Sequence, residues 1–488
     1  MSESRHHGMK EKPAMEFLCS PESYEYENRG SFGRLFRNVH KAVPLYSKAT
    51  ELKKLGEVDG IMDSKNIKSS TNSVPVGMVF LGQFIDHDIT LDTQSSISQI
   101  NEAGDILNFR TPTLDLDSVF GEGPEDEPFL YLDDSNRLLT GETNNNIGQG
   151  PAHEKEDLAR NGKGVALIGD PRNDENRVLS QLQLLMIRFY NKVYDGVVAK
   201  KLSNLPAGLT EKDLDKKEIY EEARKLVTWH YQWIVINEFL PIMVGSDLMN
   251  DIMSNGRKWY TPKSLFIPVE FSVAAYRFGH SMVPQELALQ KNGDIHPIFS
   301  AAFGIGFKPI SDDIQVVHWE RFFNIDGTHQ FADKLDTKLA TILLDLPFIR
   351  DPDASKRSLA TRNLTRGNSF LIPSGETVAK CMGLENDDRT TQVKVALAQA
   401  FQNGGLDFKN GTPLWYYILM EAEIIGRDGR DGEGLGPVGG RIVAETILGL
   451  IEQDHESYLG SDRNWTPTLG QNDNGEFTMA NLINFVEN

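Results

Sequence analysis

The stretch Leu81-Gly-Gln-Phe-Ile-Asp-His-Asp88 decides how the rest of the chain is read. It sits inside an apolar segment running from Val76 to Ile89. If that segment is a helix, Gln83 lies four residues before His87 and three before Asp86, so the three polar side chains share one broad face. Polar groups in an otherwise apolar helix cost free energy unless partners satisfy them. Two readings stand: a hydrogen-bonded core histidine, or a histidine kept for chemistry.

Three further segments have the same double character. Val273-Ala-Ala-Tyr-Arg-Phe-Gly-His-Ser-Met-Val283 places Gly279 beside His280, where a missing Cβ lets a flat object approach the backbone. Arg277 falls three residues before His280, on the same helical face, and could pair with an anion there. Gly169-Asp-Pro-Arg-Asn-Asp-Glu-Asn176 leads into a strongly apolar segment, with Arg172 and Glu175 three apart at an expected helix start. Thr111-Pro-Thr-Leu-Asp-Leu-Asp-Ser118 alternates Thr111, Thr113, Asp115 and Asp117, which share one face of an extended strand. Such hard oxygen ligands suit Ca²⁺, although the spacing is not that of an EF-hand. Alone, these segments also fit a structural histidine, a capping network and a solvated strand face.

Around these segments the chain reads as mainly helical. Val178–Val198 is apolar on more than one face, the mark of a buried helix. Lys217–Phe239 continues the pattern and is expected to end before Pro241. Gly439–Glu452 is a further short helix, preceded by a Gly-rich loop over 428–440. Residues 91–165 are rich in Gly, Asp, Asn, Pro and Thr and read as long loops. Residues 1–75 are polar, an N-terminal arm anchored on the body by Phe32, Leu35 and Phe36. Residues 1–30 form the arm proper, and 31–488 form one domain without internal repeats.

Composition narrows the function classes. The chain has 488 residues, 39% of them hydrophobic and 25% charged, which is ordinary for a globular protein and excludes a disordered or collagen-like chain. Lys and Arg number 50 against 70 Asp and Glu, a net charge of −20, so nucleic-acid binding is not expected without a local basic patch. The longest apolar stretch, Trp233–Val244, is interrupted by Asn237, Glu238 and Pro241, too short for a membrane span. Two cysteines, Cys19 and Cys381, demand no disulfide. The start, MSESRHHGMKEKP, has no apolar core of a secretory leader, so a cytoplasmic location or export by another route is expected.

GQFIDHD, GDPRNDEN, YRFGH and TRNLTRG occur in an order and approximate spacing that resembles the animal-type haem peroxidases of the peroxidase–cyclooxygenase superfamily, most of all its bacterial and fungal members. The resemblance covers roughly residues 30–485 and implies a mainly α single domain around a buried haem b. It implies that His87 is the distal acid–base and Gln83 the distal glutamine near the iron. Arg172 would be the distal arginine that steadies charge as the O–O bond breaks. His280 would be the proximal iron ligand, with Asn363 accepting its second ring N–H. Arg277 and Arg366 would lie near the haem propionates, and Asp86 and Glu175 could form ester links to haem methyl groups. Asp88, Thr111, Thr113, Asp115 and Asp117 would hold calcium, Thr113 through its main-chain carbonyl.

Two departures carry meaning. Asn176 stands where some relatives have a methionine that forms a sulfonium link, which excludes that bond here. Asp117 stands where animal enzymes usually have serine, which adds negative charge for a cation.

The implied activity is reduction of H₂O₂ through an oxoferryl intermediate, with halides, pseudohalides or small phenols as donors; catalase-like turnover is a further possibility. The alternatives are a fatty-acid dioxygenase of the same superfamily and a non-catalytic adhesion or structural protein keeping the fold. The dioxygenases carry a tyrosine three residues before the proximal histidine. Here that place is Arg277, and Tyr276 is one helical step off, about 100° of rotation, which is expected to point its phenol away.

Overall fold

The computed structural model describes residues 32–36, 39, 43–92, 96, 99–133, 135–144, 153–204, 210, 214–472 and 474–488. The arm expected over 1–30 lies outside them, as does Cys19. The helices that frame the site are α1 (Gly77–Ile89), α2 (Arg177–Ser203), α3 (Lys216–Ile234), α4 (Gly279–Met282), α5 (Leu359–Ser369), α6 (Leu414–Ile424) and α7 (Pro437–Gln453). Strands among the described residues are short and form three two-stranded ladders. Phe32–Gly33 runs parallel to Ile267–Pro268; Ser70–Pro75 and Glu286–Ala288 pair antiparallel with Phe331–Asp333 and Ile295–Pro297. The chain is thus a single, mainly α domain, as the sequence led us to expect.

α1 is the centre of the design. Met78, Val79, Phe80, Leu81, Phe84, Ile85 and Ile89 bury its flanks, and His87 and Asp88 are buried with them. Only Gly82, Gln83 and Asp86 keep appreciable access to solvent. Their spacing puts them on one stripe of the helix. α2 packs on both α1 and α3, and α4 packs on α1. α2 is buried on more than one side, from Arg177 to Val198, which explains its apolar pattern. Its first turn is capped by Asn176, whose Oδ1 accepts the Leu179 N–H at 2.9 Å.

Pro241 does not end the helix begun by α3. The backbone widens to a π-turn over Val235–Phe239, and a short helix follows at Leu240–Val244 with Pro241 in its first turn. There a missing N–H leaves no bond unmade. Among the described residues of 91–165, the expected loops hold single turns of 3₁₀ helix and the four-residue helix Asp117–Phe120. α6 is buried along almost its whole length and packs on α5, α7 and the turn Ala275–Phe278. Gly436, at the N-cap of α7, has no side chain to cap with. Glu421 of α6 supplies the oxygen instead, accepting from Val438 at 2.9 Å and Gly439 at 3.2 Å. A Cβ on Gly439 would stand 2.6 Å from Ile418, so only glycine allows α6 and α7 to approach this closely. Among the described residues no helix is long and apolar enough to cross a membrane.

Candidate active site

His87 is held by a chain of amides. Its Nδ1 lies 2.8 Å from Asn173 Oδ1. Asn173 Nδ2 donates to Gln183 Oε1 at 2.8 Å, and Gln183 Nε2 donates to the Ser118 carbonyl at 3.2 Å. With both amides oriented in this way, Asn173 can only accept from His87. Nδ1 therefore carries the proton, and Nε2 is left as an acceptor. That Nε2 faces Glu175 Oε1 at 3.9 Å. Burial, aided by the Arg172 charge, pushes His87 down to about 4, which keeps the imidazole neutral.

Gln83 donates through Nε2 to Glu175 Oε1, and Asn176 Nδ2 donates to Gln83 Oε1 at 3.1 Å. Glu175 is pushed up to about 7 by burial against the opposing charge of Arg172, yet its side chain keeps 36% of its accessible surface. Water can reach this corner.

Arg172 sits in the 3₁₀ turn Pro171–Asp174, with Glu175 closing the turn. Asp170 caps it, accepting the Arg172 N–H at 2.8 Å. The Arg172 Nη2 donates to Asp170 Oδ2 at 2.7 Å and to the carbonyls of His87 and Thr90 at 3.0 and 2.7 Å. The guanidinium thus staples the turn to the C-terminal end of α1, where a cation is favoured. Burial works to raise Asp170, but the hydrogen bond and charge of Arg172, with the charge of Arg110, hold it well below the usual carboxylate range.

On the opposite side, His280 lies in α4, half-buried, with Nδ1 2.7 Å from Asn363 on α5. The contact is made by the amide nitrogen of Asn363, so in this rotamer the amide donates to the ring. The sequence reading has Asn363 accepting. That role needs the amide turned by half a rotation about its last bond, with the ring proton on Nδ1. Burial, then the charge of Arg277, pushes His280 down to about 3. A Cβ placed on Gly279 meets no atom within 4 Å, although Phe278, Ser281 and Met282 are buried. Open space therefore adjoins His280.

The two sides lie within electrostatic reach of each other. Asp86 acts electrostatically on both His280 and Glu175, and Arg277 acts on both as well. Arg277 donates from Nε to the Ser272 carbonyl at 2.8 Å, and Arg366 Nη1 lies 3.7 Å from Asp92 Oδ2. Burial, against the pull of Asp92 and with the repulsion of Arg277, lowers Arg366. Two guanidinium groups close enough to oppose each other mark an edge suited to anions.

Tyr276 corrects an expectation. Residues 275–278 form a 3₁₀ turn, so the α-helical step count does not apply. The ring stacks on Phe271 with centroids 4.6 Å apart, and its hydroxyl lies 4.0 Å from the position of a Cβ on Gly82. The phenol therefore reaches the accessible stripe of α1 rather than turning away from it. It is buried without a hydrogen-bond partner among the described residues.

Asp88, Asp115 and Asp117 bring carboxylate oxygens within 4.8 Å of one another, all buried. Residues 111–116 form an irregular loop rather than the expected strand, with Leu116 at φ 59°. The acidic groups converge because the loop folds back onto the end of α1, with Ser118 Oγ donating to Asp88 at 3.2 Å. Burial and the charges of Asp117 and Asp115 raise Asp88 well above its ordinary value. Thr113 Oγ1 is buried with no hydrogen-bond partner among the described residues, and Thr111 is buried in the same loop. Three crowded carboxylates and an unpartnered hydroxyl are a donor set fit for a hard divalent cation.

Sequence reasoning missed Asn173, Asp170 and Arg110. Arg110 reaches Asp117 at 3.2 Å and Asp170 at 2.6 Å, joining the acidic cluster to the Arg172 turn. Its only sequence signal was its place beside Thr111. Asn173 and Asp170 stood inside the GDPRNDEN segment without a reason to single them out.

The family model described as animal haem peroxidase matches residues 97–395, more than half of the chain. That span holds Arg172, Glu175, His280 and Asn363; Gln83 to Asp88 precede it. The chain is similar to chorion peroxidase of Drosophila melanogaster, 31% identical over 314 residues, which are 61% of this chain and 35% of that protein. It is similar to chorion peroxidase of Aedes aegypti, 24% identical over 328 residues, 64% of this chain and 37% of that protein. It spans little more than a third of these curated relatives. In fold it resembles peroxidase A from Dictyostelium discoideum, with TM-score 0.59, 18% identity and 88% and 89% of the two chains covered. It also resembles a fatty acid alpha-dioxygenase from Arabidopsis thaliana, with TM-score 0.58, 14% identity and 99% and 81% covered. Four motifs brought into mutual contact and a matched family model lead to one conclusion: the chain belongs to the animal haem peroxidase family.

Proposed function

We propose that this chain is a haem-dependent peroxidase that reduces H₂O₂ and takes electrons from a halide, a pseudohalide or a small phenol. The observation that carries the proposal is the bare Nε2 of His87, oriented by Asn173 toward a water-accessible corner that Gln83 and Glu175 share. The open space beside His280 and the accessible stripe Gly82, Gln83 and Asp86 are where a flat group would lie.

Bound there, haem would supply the redox chemistry of its iron. His280 would hold the iron through Nε2, with Asn363 turned to accept the Nδ1 proton. His87 Nε2 would take a proton from one peroxide oxygen and return it to the departing one. The Arg172 charge, fixed by Asp170, would favour the negative charge that develops as that oxygen leaves. Gln83 would hold water or halide beside it. Arg277 and Arg366 would take the propionates. Asp86 and Glu175 are the groups that could form ester links. Asp88, Asp115, Asp117, Thr111 and Thr113 would bind Ca²⁺ and hold the end of α1 beneath His87.

His87→Ala tests the role directly. Peroxide reduction followed by stopped flow should slow by about 10²–10⁴-fold. An unchanged rate removes His87 from it. Asp86→Val and Glu175→Gln should release haem into acid acetone if the links form.

The position of Tyr276 over Gly82 favours a second reading, oxygenation of a fatty acid. Stoichiometric O₂ uptake with linoleate and no added peroxide would replace the peroxidase reading. A haem-loaded protein without either turnover would be a binding or structural member of the family.

A further inference from the structure

We propose a second exit for oxidising equivalents: a path of aromatic side chains from α1 to the surface at Trp465, where phenolic donors too large for the hollow give up their electrons. The inference rests on the peroxidase reading.

Phe84 follows Gln83 on α1 and meets Tyr231 of α3 edge-on, with centroids 6.2 Å apart. Tyr231 is buried and lies electrostatically against Asp88, the residue after His87. Trp229 and Trp233 stand on the far side of α3 from Tyr231, with His230 between, so the step from Tyr231 to this group crosses the helix itself rather than a ring contact. All three touch Trp465, at centroid distances of 5.3, 5.0 and 6.1 Å. Tyr458 closes the group, 5.8 Å from Trp233 and 5.7 Å from Trp465. Three of the six tryptophans of the chain gather here, and Trp233 and Trp465 are partly exposed.

The group is rigid and electrically graded. His230 Nδ1 donates to the Leu226 carbonyl at 2.7 Å, and its Nε2 accepts from Thr468 and Leu469 at 3.1 and 3.2 Å. Those bonds pin the loop that carries Trp465 onto α3. Lys225 Nζ stands 4.2 Å from the Trp229 ring centroid. A cation there disfavours a positive charge on Trp229, so the hole passes to Trp233 and Trp465. These are also the members that solvent reaches.

The electron balance closes with the activity already proposed. With haem bound, reduction of one H₂O₂ by two electrons and two protons would give two waters. One electron at a time then leaves Trp465 inward through Tyr231. A phenol at the surface refills the indole, losing one electron and releasing its proton to water. Two phenols are oxidised per peroxide.

The test uses the haem-loaded full chain, iodide as the small donor and tyramine coupled to dextran as the donor that cannot enter. Trp465→Phe should cut dextran–tyramine oxidation about tenfold or more while iodide oxidation stays within about twofold. Trp465→Tyr packs similarly but is oxidisable, and should restore the polymer reaction. A nitroso spin trap added after H₂O₂ without donor should label the Trp465 peptide, read by mass spectrometry. Equal polymer rates in Trp465→Phe and the parent, or no label at Trp465, would overturn the path while iodide turnover leaves the peroxidase reading standing. Absence of iodide turnover in the parent would overturn both.

Discussion

Asn173 accepts from His87 because its own amide hydrogens are committed to Gln183. The proton on Nδ1 is thus set two residues away from the histidine, in a chain that ends on the Ser118 carbonyl. Asn173→Leu removes the acceptor and leaves Gln183 without its donor in a buried place. Peroxide reduction should fall by about 10–100-fold, as for other partners that orient a working histidine. Stopped-flow rates at full haem occupancy check this, and an unaltered rate would mean that the tautomer is set elsewhere. His87, Gln83, Arg172, Glu175 and His280 were singled out in the sequence because each lies in a short motif that resembles those of the haem peroxidases. Asn173, Asp170 and Arg110 were not. Their roles depend on which loop folds against which, and one polar residue in a loop looks like another until its partner is known. The amide orientation of Asn363 is illegible for the same reason.

At the scale of elements, apolar patterning revealed α2, α3 and α7, while it marked Val76–Ile89 as apolar and only conditionally as the helix found there. It failed where backbone geometry changed without a change of composition. The π-turn over Val235–Phe239 lets the chain run through Pro241, and the left-handed Leu116 turns an apparent strand into a loop. That loop converges on Asp88 by folding, not by alternation. If Ca²⁺ occupies the cluster, chelation should lower the thermal midpoint and added Ca²⁺ should restore it. At a hundred times the dissociation constant the ion adds about 2.7 kcal/mol. A midpoint indifferent to chelator and Ca²⁺ would remove the ion from the account.

Glu421 is the corresponding case between α6 and α7. Burial pushes it up to about 8, against the pull of the Val438 and Gly439 N–H groups. In the unfolded chain it ionises near its ordinary 4.5, so its share of stability is lost as pH rises from there through about 8. Glu421→Gln should flatten that decline in urea-midpoint measurements, while an unchanged slope would assign it to other groups.

Across the whole molecule, buried ionisable groups limit stability from both sides. His230 is fully buried and held down to about 4, so the unfolded chain takes up its proton first as pH falls below the ordinary 6.5. Its contribution is complete above that value and lost as pH falls through about 4. The loss is of order 3 kcal/mol for a shift of this size. Glu238, raised to about 7 by burial, acts in the opposite direction along with Glu421. Above about pH 4.5 the two raised carboxyls outweigh the one lowered histidine, so together these groups should make stability decline from there to about pH 8. A urea midpoint that keeps rising from pH 6 to 9 would contradict this balance. Acidic composition gave no sign of it, because which carboxyls are buried is a property of the packed fold.

The central claim is that one hollow between His87 and His280 binds haem and reduces peroxide. An absorption spectrum of the haem-supplemented protein, before and after a pulse of H₂O₂ and then of iodide, tests it most directly. The account predicts a Soret band that is lost in His280→Ala, shifts on peroxide and returns on iodide. A chain that takes up no haem, or a Soret band that ignores peroxide, would contradict it.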